Sequence, residues 1–142
     1  MRTAWWMAAV CAGLTMAAPL VAHHSFSAEY DANKPVTLKG KVTRMDWTNP
    51  HCLIYIDVPG ADGTVVNWLI EAGAPNALIR RGWNRNTLPV GTEIVVDGYR
   101  AKNGHAMVNG RDLTFKDGRK LFGVSSRAEK VEITEGWPDD PK

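Results

Sequence analysis

The chain has 142 residues, with 17 Lys and Arg set against 15 Asp and Glu and a formal net charge of +2. Near-neutral balance excludes an electrostatic case for nucleic acid, which asks for a strong basic patch, so no nucleic-acid partner is expected. Arg2 is the only charge in residues 1–22; removing that stretch leaves 120 residues, enough for one domain with a core but not for two.

Residues 1–22 have the three parts of a cleavable secretory signal: a basic start at Arg2, an apolar run from Ala4 to Leu14, and a small-residue exit ending at Ala22. The run is short for a membrane span, which needs about 20 apolar residues, so no transmembrane segment is expected in the mature chain. A periplasmic or secreted protein follows. Cleavage after Ala22 would make His23 the mature N-terminus, while cleavage after Ala18 is the alternative. One cysteine, Cys52, survives processing, which excludes an intramolecular disulfide and leaves a buried thiol, an intermolecular bridge or a metal ligand as readings.

From Ser27 to Pro35 the sequence is a polar lead-in. Val36 to Val42 then alternates apolar and polar with the period of a half-buried strand, and Gly40 inside it marks a bend or bulge. That run continues to Trp47 and stops at Thr48-Asn49-Pro50, where the proline drives Asn49 out of helical geometry. Cys52 to Val58 is a second strand, with Cys52, Ile54 and Ile56 inward and His51 on the other face. Asp62-Gly63 turns into a third strand, Thr64 to Glu71. Ala74 to Gly82 reads as a short helix, with Pro75 in its first turn and Gly82 as its stop.

Strand patterning resumes over Glu93–Tyr99. Asn103-Gly104 then turns into Met107–Phe115, and Asp117-Gly118 turns into Lys120–Phe122. Residues 23–124 thus form one β-domain and residues 125–142 a tail. A three-stranded meander, a helix and a further hairpin predict a mainly β fold. The expected form is a small OB-like Greek-key barrel with one short helix between strands 3 and 4. Gly40 fits, because the long first strand must serve both sides of such a barrel.

OB barrels bind along a face flanked by the loops between strands 1 and 2 and between strands 4 and 5. His51 falls at the end of the first loop and His105 in the second. An N-terminal His23 offers two chelating nitrogens, its α-amino group and its imidazole, and His24 stands beside it. Imidazole suits copper and zinc, so His23, His24 and His51 are the candidate metal ligands, with copper the first expectation and zinc the second. Glu29, Tyr30 or Asp31 would supply an oxygen ligand or orient an imidazole through its second nitrogen. None of the four histidines has helical His-x-x-x-His or Cys-x-x-Cys spacing; a solvated terminus and turn-capping roles remain the plainer alternatives.

A rival reading, from another functional class, is a metal-free module that binds a small molecule, saccharide or envelope protein. Its surface would be Trp47 and Tyr55, with His105 at the edge. Trp68, in phase with Val66 and Ile70, argues for the core instead. Arg80, Arg81, Arg85 and Arg100 read as a solvated rim or an anion site. Asp57, Glu71 and Asp97 are strand carboxylates, and no nucleophile is flanked by a base. Enzymatic activity would therefore have to come from an open metal position, as in a copper-dependent oxygenase.

Several motifs carry a resemblance: the His23-His24-Ser25-Phe26 start, Glu29-Tyr30-Asp31, Leu38 to Val42, Trp47-Thr48-Asn49-Pro50-His51, Pro75-Asn76-Ala77-Leu78 with Arg80-Arg81-Gly82-Trp83, and Gly98 to Lys102. Through these, and ending near Phe122, the chain resembles a family of small uncharacterised exported bacterial proteins, a domain of unknown function. The resemblance implies that the His-His start and the Asn-Pro-His loop are family motifs and so favours His23, His24 and His51. An N-terminal histidine is also similar to the copper sites called histidine braces, with His51 as third nitrogen, by analogy only.

Overall fold

The computed structural model describes residues 26–122. The expected signal segment, His23, His24 and the tail 125–142 lie outside the described residues. The elements run α1 (Phe26–Glu29), β1 (Tyr30–Asp46), β2 (Leu53–Pro59), β3 (Val65–Glu71), α2 (Pro75–Ile79), β4 (Glu93–Ala101), β5 (Met107–Phe115) and β6 (Lys120–Phe122).

β1 is the hub. Its Val36–Lys41 stretch pairs antiparallel with β4, from Val36 opposite Gly98 to Lys41 opposite Glu93. Lys41 to Asp46 then pairs with β2, ending with Asp46 opposite Leu53. The hand-over explains Gly40: a Cβ there would lie 2.5 Å from the Asp57 carbonyl oxygen, so the two strands meet too closely for any side chain. β2 pairs with β3 and β4 with β5. A parallel seam, Leu69 opposite Met107, Ile70 opposite Val108 and Glu71 opposite Asn109, joins β3 to β5. The ring β1-β2-β3-β5-β4-β1 is closed, and α2 lies between its third and fourth strands. That is the expected OB-like Greek-key barrel.

One element extends further than the sequence reading. β1 begins at Tyr30 rather than Val36, because Tyr30 pairs with Ala101 across a register shift that ends at Pro35. A proline tolerates that place because the bulge needs no ladder hydrogen bond from it. α1, Phe26–Glu29, is a single helical turn before it.

Alternation fills the interior with Val42, Ile54, Ile56, Ile70, Ile94, Val96, Val108 and Leu113, all buried. α2 and the segment after it add Leu78 and Trp83 to the same core. Pro75 occupies the first turn of α2. Gly82, at φ +86°, ends it in the left-handed conformation that favours glycine. The Gly82 and Trp83 N–H groups then donate back to Ile79 and Leu78. Trp68 is partly buried against the core, as its phase suggested, whereas Val66 is exposed. Among the described residues no helix is long and apolar enough to cross a membrane.

Candidate functional site

His51 ends the β1–β2 loop, one residue before the buried Cys52. The period of two holds here: Cys52 is fully buried, while the His51 side chain is 39% exposed. The ring is held against the end of β3, where Nδ1 lies 3.2 Å from the Ala72 carbonyl oxygen and 3.7 Å from Glu71 Oε1. The Glu71 carboxylate is occupied on its other side. The Tyr30 hydroxyl donates to Glu71 Oε2 at 2.8 Å, from a residue 41 positions earlier in the chain. Burial, followed by the hydrogen bond to Glu71 and the charges of Glu71 and Glu29, holds the Tyr30 phenol far above its ordinary range. Tyr30 is thus a firm donor. His51, Glu71 and Tyr30 form one contiguous cluster drawn from the β1–β2 loop, β3 and the start of β1.

The N-terminal turn is strapped to this region. The Phe26 ring stacks on Tyr30 with centroids 5.7 Å apart and meets Tyr99 edge-on at 5.4 Å. Lys102 fixes the backbone from below: its N–H donates to the Glu29 carbonyl at 2.9 Å and its Nζ to the Ser27 carbonyl at 2.7 Å. Tyr99, Asn109 and Glu71 occupy one row across β4, β5 and β3. Phe26 therefore packs at the same end of the barrel as Glu71.

The other expected residues are not gathered there. His105 is an exposed turn residue whose N–H donates to Asn103 Oδ1 at 3.0 Å and whose carbonyl accepts the Met107 N–H at 2.8 Å. The Leu69 N–H bonds the Ala106 carbonyl, so His105 lies beside the middle of β3, whereas His51 bonds Ala72. At about 3.3 Å per residue along a strand, the Leu69 and Ala72 positions are about 10 Å apart. Trp47 packs against the core, partly buried. Tyr55 is half-buried under the Arg44 guanidinium, 3.8 Å from its ring centroid.

The strand carboxylates are separated, and each has its own partner. Asp57 accepts from Asn67 at 2.7 Å, and Asp97 accepts from Thr37 at 2.6 Å. Asp31 accepts the Asn33 N–H and pairs with Lys34, whereas Tyr30 reaches the cluster through its hydroxyl. Burial pushes the Cys52 thiol up, against smaller opposing effects of the Thr48 backbone and Arg85; it is a core side chain. Among the described residues no group of three or more His, Cys, Asp and Glu stands together as a metal site.

Sequence reasoning offered Tyr30 as a residue that could orient an imidazole and named Glu71 only as a strand carboxylate. Glu71 looked like a strand-end carboxylate, and nothing local ties it to Tyr30. Only the register of the closed barrel does so.

The model of a family of unknown function, DUF6152, matches residues 10–110. The chain belongs to that family. The DUF6152 match takes in the His-His start, the Asn-Pro-His loop and Glu71, and ends within β5. No curated protein matches the chain. Among solved structures, the N-terminal domain of the PriB protein from Thermoanaerobacter tencongensis is 28% identical. That alignment covers 58% of this chain and 96% of that one, with a TM-score of 0.41.

Proposed function

We propose that this DUF6152 protein is an exported single-domain barrel that binds copper. In this reading His23, freed by signal cleavage, chelates through its α-amino group and imidazole. His51 supplies a further nitrogen, and His24 is an alternative or additional ligand. Copper is preferred to zinc because an amine and imidazoles are the donors that favour it. The α-amino group titrates at about 8 on its own, so copper displaces its proton readily at neutral pH. Metal carriage or sensing suits such a site better than catalysis, since the cluster contains no nucleophile paired with a base.

The observation that carries the reading is the hold on His51. A metal-binding histidine commonly donates its second ring N–H to a carbonyl or carboxylate, which leaves the other nitrogen as the ligand. His51 Nδ1 has such an acceptor in Ala72 at 3.2 Å, on a ring that is 39% exposed. The strapped Phe26 adds support. It holds the chain, three residues after His23, at the end of the barrel that carries Glu71. The metal-free alternative, a module using the Trp47 and Tyr55 face, draws less support because Arg44 already covers Tyr55 and Trp47 packs into the core.

The test is intact mass and copper titration of protein exported from its own signal. A mass starting at His23, one tight copper per chain and a spectrum dominated by nitrogen ligands are expected. His51→Ala should weaken binding by more than the about 10–100-fold typical of losing an outer partner. A different start, or no tight copper with that start, sinks the reading.

A further inference from the structure

We infer that Glu71, anchored by the Tyr30 hydroxyl, is the positioning residue that orients His51 for metal. The inference rests on the copper reading above and deepens it: behind His51 stands a carboxylate–phenol pair.

The geometry has three parts. First, His51 Nδ1 faces two acceptors from consecutive residues, the Ala72 carbonyl at 3.2 Å and Glu71 Oε1 at 3.7 Å. Both favour a proton on Nδ1, so Nε2 keeps its lone pair as the donor to a metal.

Second, Glu71 cannot drift. Its side chain is only 14% exposed, and Tyr30 holds Oε2 at 2.8 Å. Its backbone lies between two partner strands, opposite Leu53 of β2 and Asn109 of β5. A carboxylate fixed on both sides sets an angle rather than merely supplying charge.

Third, Tyr30 is also the residue on which Phe26 stacks. The anchor of the carboxylate and the anchor of the segment that follows His23-His24 are therefore one side chain.

Two variants separate positioning from mere structure. Glu71→Gln keeps an acceptor for Tyr30 but removes the charge. Tyr30→Phe keeps the stack with Phe26 and removes only the hydroxyl. Both are compared with wild type and His51→Ala in the exported full chain, by copper titration, by the copper EPR spectrum and by the apo melting temperature. Glu71→Gln should weaken copper binding by about 10–100-fold and shift the EPR parameters. Tyr30→Phe should move both in the same direction by less, including in a preparation whose apo melting temperature is unchanged. Wild-type affinity and an unchanged spectrum in Glu71→Gln, with binding still lost in His51→Ala, would overturn this inference and leave the copper reading standing. Wild-type protein that takes up no copper, or His51→Ala that binds as well as wild type, would overturn both.

Discussion

Tyr30 shows how much a single side chain can carry that its sequence neighbourhood does not announce. It follows a polar run, yet it is 2% exposed and bonds a carboxylate across the barrel. His51 and Cys52 are the opposite case. Alternation alone put the thiol inward and the imidazole outward, and the structure agrees, because period two is a local property of an extended chain. The Tyr30–Glu71 bond depends on which strands meet, and no window of neighbouring residues encodes that.

A pH dependence follows from Tyr30. Burial and Glu71 raise its folded pKa, so the native state favours the protonated phenol. That contribution is complete below the unfolded value of about 10 and drains away as pH climbs beyond it, by about 1.4 kcal/mol per pH unit. Cys52, also raised, adds the same sign from about pH 8.5. Urea unfolding between pH 8 and 11 should show falling stability with a distinctly shallower slope in Tyr30→Phe; equal slopes would contradict the assignment.

At the scale of elements, β1 was half legible. Its alternating part and the break in pattern at Gly40 were readable, since a glycine amid alternation signals bending or close approach. Its first residues were not, because Asp31 to Lys34 have no apolar rhythm and fall in the register shift between the Tyr30–Ala101 and Pro35–Tyr99 pairs with β4. The role of Gly40 gives a direct prediction. Gly40→Ala places a methyl against the Asp57 carbonyl oxygen at the point where β1 passes from β4 to β2. The loss should be at the upper end of the about 1–3 kcal/mol typical of overpacking, read as a lower urea midpoint. An alanine at Gly63, where nothing lies within 4 Å, should cost only its positive-φ strain and so serves as the control.

Across the whole molecule, the order of meander, helix and hairpin was enough to read an OB-like barrel, because few closed arrangements satisfy it. The candidate cluster was less legible: its residues come from three elements, and His51 and His105 each bond to different partners, Ala72 and Asn103. The β3–β5 seam is short, and it pairs Leu69–Glu71 with Met107–Asn109, far away in the chain. Amides of short, long-range pairings open at lower free energy than those of long ladders. Hydrogen exchange should therefore show the Leu69 amide, which bonds Ala106 across the seam, opening before those of β1 paired with β4. Simultaneous, global-only exchange would refute that ranking.

The seam also sets an order of assembly. The β2–β3 and β4–β5 hairpins are each local in sequence and can form early, whereas joining them must wait for closure of a long loop. Glu71 belongs to the first hairpin and meets Asn109 of the second only when they join. Tyr30 comes from outside both, and its bond to Glu71 depends on the same arrival. The cradle behind His51 is thus among the last parts of the molecule to exist. On the proposed copper reading, His51 in a chain still folding would lack the Glu71 and Tyr30 behind it until the barrel is whole.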